Sequence, residues 1–75
     1  MIINTLELKA ARVRHGLSQR DIAVLLGTVA GNYANKENGR TSMTIEEANQ
    51  IACVLELSKE DIMRIFFSHL TSLKM

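Results

Sequence analysis

The sequence predicts an all-α domain of five short helices. Three observations carry that prediction. There is no proline and the four glycines stand apart from one another; Ser or Thr followed three residues later by Asp or Glu recurs along the chain; and apolar residues fall three and four apart, with no alternating stretch. Seventy-five residues, 1–75, make a single domain. A chain this short buries only roughly 60% of the surface its unfolded form exposes, so its core must be compact.

The first helix is expected to begin after Asn4 or Thr5 and to stop at Gly16, with Leu8 and Ala11 on its inner face. Ser18 and Asp21 form an approximate capping box for a second, very short helix carrying Ile22, Ala23 and Leu26, ended by Gly27. Almost no linker remains before a third, polar segment from Thr28 to Glu37, closed by Asn38-Gly39. Thr44 and Glu47 open a fourth helix whose stripe is Ile45, Ala48, Ile51, Ala52 and Leu55. Ser58 with Asp61 opens a fifth, over about 59–70, on which Ile62, Phe66, Leu70 and Leu73 align.

The net charge of +1 is modest, but its distribution is uneven. Residues 1–43 hold six Lys or Arg (Lys9, Arg12, Arg14, Arg20, Lys36, Arg40) against Glu7, Asp21 and Glu37. The remainder holds Lys59, Arg64 and Lys74 against Glu46, Glu47, Glu56, Glu60 and Asp61. Such polarity fits a molecule with one anion-facing side, and equally fits ordinary solvated charge. One cysteine excludes an intrachain disulfide, and no charged-then-apolar leader or long apolar run is present, which reads as a cytoplasmic setting with no membrane. Cys53, His15 and His69 lack ligand spacing, so no metal or other cofactor is expected, and Cys53 reads as a small buried or half-buried residue. No nucleophile with a base, phosphate-cradling glycine loop or carboxylate pair is apparent, so neither an enzyme nor a small-molecule substrate is expected.

The string Gly16-Leu17-Ser18-Gln19, then Ile22-Ala23, Leu26-Gly27 and Glu37-Asn38-Gly39, continuing through Ile51-Ala52 and Leu55 to Ser58 and Ile62, resembles the lambda-repressor-like (XRE-type) helix-turn-helix family. Tyr33 to Gly39 and Ile65-Phe66-Phe67 look most like small phage and mobile-element regulators. The resemblance implies that helices two and three form the helix-turn-helix, over about 18–38, and that the chain is a small transcriptional regulator, a repressor, binding double-stranded DNA with its third helix in the major groove.

That resemblance places Gln19 as a phosphate clamp, with Lys36, Asn38, Arg40, Thr41 and Ser42 serving phosphates around and beyond the recognition helix. It also makes Arg12 and Glu37 an internal salt bridge rather than DNA contacts. Turn chemistry alone would equally explain Asn38-Gly39. Val29, Ala30 and Gly31 occupy positions where relatives often carry long donors. Ala30 can meet a thymine methyl, Gly31 permits close approach, and Asn32 and Asn35, three apart, are candidates for adenine contacts or plain polar surface. Tyr33 is expected to pack inward with its hydroxyl at the rim.

Ile65, Phe66, Phe67 and Leu70 exceed what one face of a short helix needs, which leaves open core closure or a homodimer interface. The rival function class is a protein-binding module, an antirepressor or antitoxin-like subunit whose partner is another regulatory protein. Near-neutral charge and Ala30-Gly31 favour it; Gln19, Asn38 and Arg40 favour DNA.

Overall fold

The computed structural model describes residues 1–67, and five helices account for most of them: α1 (Thr5–Arg14), α2 (Gln19–Leu26), α3 (Ala30–Glu37), α4 (Ile45–Val54) and α5 (Lys59–Phe66). Local chemistry sets where each begins. The Asn4 side chain accepts from the Glu7 N–H, and Ser18, Thr44 and Ser58 each form a reciprocal capping box with Asp21, Glu47 and Asp61. Each such cap satisfies a first-turn N–H that has no partner within the helix.

One device ends the first four helices. The N–H groups of Leu17, Thr28, Arg40 and Leu57 reach back five residues to the carbonyls of Arg12, Ala23, Asn35 and Ala52. Each closure needs a residue with positive φ, and three are glycines. The fourth is Glu56, at φ 51°. Gly27, at φ 74°, ends α2 and lets the chain turn into α3 within three residues.

The core comprises Leu8 and Ala11 of α1, Ile22 and Ala23 of α2, Tyr33 of α3, Met43 from the following turn, Ala48, Ile51 and Leu55 around α4, and Ile65 and Phe66 of α5. α2 packs chiefly on α3 and α4, while α1 bridges α5 and α3. The Asn4 N–H donates to the Ile65 carbonyl at 2.7 Å, which fixes the start of α1 to the end of α5.

Two sequence expectations change, at Ile45 and Cys53. Ile65 and Phe66 are 1% and 3% exposed, which favours core closure for these two side chains. Phe67 stays half-buried and Leu70 lies outside the described residues. Ile45 is 76% exposed because, as the first residue of α4, it projects past the edge of the core. Cys53 is exposed: 53 falls on the helix face opposite Ala48, Ile51 and Leu55, and phase outweighs the usual preference of cysteine for burial. No helix among the described residues is long and apolar enough to cross a membrane.

Candidate nucleic-acid interface

α3 is short and mostly polar, so something other than a broad apolar face must hold it in place. Tyr33 and Glu37, one turn apart, both point inward and are 1% and 0% exposed. A fully buried carboxylate is costly unless its lone pairs are filled, and here four bonds reach it. Arg12 Nε and Nη2 donate to Oε1 and Oε2 at 2.8 and 3.3 Å, Gln19 Nε2 donates to Oε2 at 2.9 Å, and the Tyr33 hydroxyl donates to Oε1 at 2.9 Å. Arg12 Nη1 also donates to the Leu17 carbonyl at 2.8 Å. Glu37 thereby joins α1, α2 and α3 at one point.

Burial alone would raise the Glu37 pKa. The donors from Arg12, Gln19 and Tyr33 outweigh it and hold the carboxyl below its ordinary value. Burial, followed by the neighbouring carboxylate, pushes the Tyr33 phenol well above the usual tyrosine range. The Tyr33 hydroxyl therefore lies inside the network, not at the rim where sequence reasoning put it.

With Tyr33 and Glu37 facing in, the opposite side of α3 is turned outward. Ala30, Gly31 and Asn32 are exposed and Asn35 is half-buried. Asn32 Nδ2 donates to Thr28 Oγ1, one turn earlier, at 3.1 Å. The Asn35 carbonyl accepts from the Arg40 and Thr41 N–H groups, so the following turn folds back on it.

The residues expected around phosphates divide into free and committed groups. Asn38, Arg40 and Thr41 have exposed side chains, and Arg40 makes no ion pair among the described residues. The Ser42 hydroxyl accepts from the Met1 ammonium at 3.1 Å. Gln19 is half-buried and has given its amide nitrogen to Glu37, which changes its expected role as a simple clamp. Lys36 is the clearest departure. Its Nζ lies 2.8 Å from Glu47 Oε2 and 3.4 Å from the Ser42 carbonyl, so its charge ties α3 to α4 rather than standing free. The Lys36 bond, with the Thr44 N–H, keeps Glu47 below its ordinary pKa. The Thr41 and Thr44 N–H groups are likewise spent within the protein, on Asn35 and Glu47.

Arg20 was counted in the sequence only toward the charge of the basic half, because it belongs to no motif. It is exposed in the first turn of α2 and makes no ion pair among the described residues, which places a second cation at the end of α2 where the chain enters from Ser18. His15 approaches Glu56 at 3.3 Å, and no metal-holding group of His, Cys, Asp and Glu converges among the described residues.

Comparison with known proteins agrees with this geometry. No curated protein matches the chain. Among solved structures, that of the transcriptional regulator BswR is similar with a TM-score of 0.71 and 27% identity, over 92% of this chain and 71% of that one. A family model described as helix-turn-helix matches residues 8–62, from the first core leucine of α1 to Ile62 of α5 and across the whole α2–Gly27–α3 unit. This all-α chain belongs to the XRE-type helix-turn-helix family.

Proposed function

We propose that this DNA-binding regulator binds double-stranded DNA sequence-specifically and acts as a repressor, with α3 in the major groove. The observation that carries the reading is the division of α3 into a locked inner face and a free outer one. Tyr33 and Glu37 fix the helix from within, while Gly31, Asn32 and Asn35 on the outer face, and Ala30 exposed at the start of the helix, are left to meet base edges. Flanking it, Arg20 and Arg40 supply free cations for phosphates, and Asn38, Thr41 and Ser42 supply neutral donors. Gln19 contributes through the second N–H of its carboxamide nitrogen and the N-terminal amides of α2, with Glu37 holding its orientation. Lys36 supports the helix and is not assigned a phosphate. Repression requires no more than occupancy of a promoter.

The family's usual arrangement places two recognition helices on half-sites about one DNA turn apart. A groove between α4 and α5, where Ile45 is exposed and Ala52, Ile62 and Phe67 are half-buried over the core residues Ala48 and Phe66, is the face proposed for such pairing. The same exposed apolar surface would serve a protein partner under the antirepressor reading. Selection of bound duplexes from a random DNA pool distinguishes them: an enriched, two-half-site sequence supports the repressor, and recovery of no sequence above background removes it.

A further inference from the structure

Four of the five helices begin with a residue whose side chain accepts a hydrogen bond from the first turn: Asn4, Ser18, Thr44 and Ser58. α3 alone does not. Its N-cap is Val29, in extended backbone at φ −103°, with no side-chain cap bond. Valine is among the poorest cap residues. Nor does burial explain it, because Val29 is 67% exposed and the next two residues, Ala30 and Gly31, are exposed as well. The recognition helix therefore presents an apolar edge to solvent at the position where every other helix carries a polar cap. The neighbouring polar side chain, Thr28, accepts from Asn32 Nδ2.

Resting on the reading of α3 as the major-groove helix, we infer that Val29, with Ala30 beside it, selects the C5-methyl group of a pyrimidine, on thymine or 5-methylcytosine. The thymine methyl is the one apolar group among the base edges of the major groove, so an apolar side chain can discriminate there where it could not pair with a donor or acceptor. The branched valine side chain is stiff at χ1, so ordering it against a methyl costs little rotamer freedom. This edge is continuous with the outward residues of α3 and bears no charge to favour phosphate.

The experiment uses the full chain and the duplex recovered from the random pool. Each thymine is replaced in turn by deoxyuridine, which removes the methyl and leaves every hydrogen-bonding group unchanged. At one or two positions affinity should fall about fourfold, the factor expected for exposing one methyl-sized group. At a cytosine placed there, 5-methylation should restore a similar factor. Val29→Thr keeps one methyl and should retain part of the thymine preference. Val29→Ser supplies a cap oxygen without a methyl, and should lose the preference while melting at higher temperature. A duplex that is bound but indifferent to every uridine overturns methyl selection and leaves the DNA-binding reading intact. Failure to bind any duplex removes both. Retention of the full preference in Val29→Ser overturns the assignment to Val29.

Discussion

Replacing Arg12 by alanine removes three donated hydrogen bonds from a largely buried site. Two of the four bonds to Glu37 disappear together with the one to the Leu17 carbonyl, and the carboxylate, at 0% exposure, keeps only Gln19 and Tyr33. Breaking a buried ion pair from one side costs on the order of 3–5 kcal/mol. A chain of this length is stable by only about 4–11 kcal/mol in total, so the loss is a large share of the whole. At roughly 4–8 °C per kcal/mol, the melting temperature should fall by about 12–40 °C. Urea titration followed by helical circular dichroism measures the loss, and Glu37→Ala and the double variant complete a cycle. The double variant should lie at least 0.5 kcal/mol from the sum of the singles, as expected for residues in one network. Singles within about 0.5 kcal/mol of the parent would refute the claim that this network holds α3.

Other predictions concern the same architecture. The Glu37 carboxyl is held below its unfolded value near 4.3, so its contribution is present above that pH and is lost as pH falls through the folded value; acid titration should show a shallower loss for Glu37→Gln than for the parent. Gly27→Ala meets nothing within 4 Å, so its cost is that of left-handed backbone alone, about 1–2 kcal/mol in thermal melts. Lys36→Ala should destabilise by about 0.5–1 kcal/mol through loss of the half-exposed Glu47 pair. The same variant should leave the salt dependence of DNA binding unchanged, whereas a phosphate-contacting lysine would reduce it.

Much of the scaffold was legible in the sequence because caps and left-handed closures are local. Ser18 with Asp21, Thr44 with Glu47 and Ser58 with Asp61 needed no tertiary information, and neither did the turn at Gly27. The Arg12–Glu37 pair came from family resemblance, since residues 25 apart have no local signature. Missing from that reading were its two further donors. Gln19 is brought to the carboxylate only by the packing of α2 on α3, whereas Tyr33 stands one turn before Glu37 on α3 itself. The ion pair of Lys36 was missed for a related reason: its partner, Glu47, sits on the next helix and was already occupied, as a capping residue, in any local reading. Met43 joined the core unannounced because it lies in a turn, where periodicity says nothing. At Ile45 and Cys53 residue type suggested burial, and position on the helix decided otherwise.

The docking of this surface on the DNA backbone is tested most directly by the salt dependence of binding to the selected duplex. Each phosphate neutralised contributes a slope of about −0.9 to the logarithm of the association constant against the logarithm of salt concentration. With Arg20 and Arg40 engaged, the slope should be near −2 per chain. Arg40→Ala should bring it close to −1. A slope near zero, unchanged in Arg40→Ala, would contradict the account.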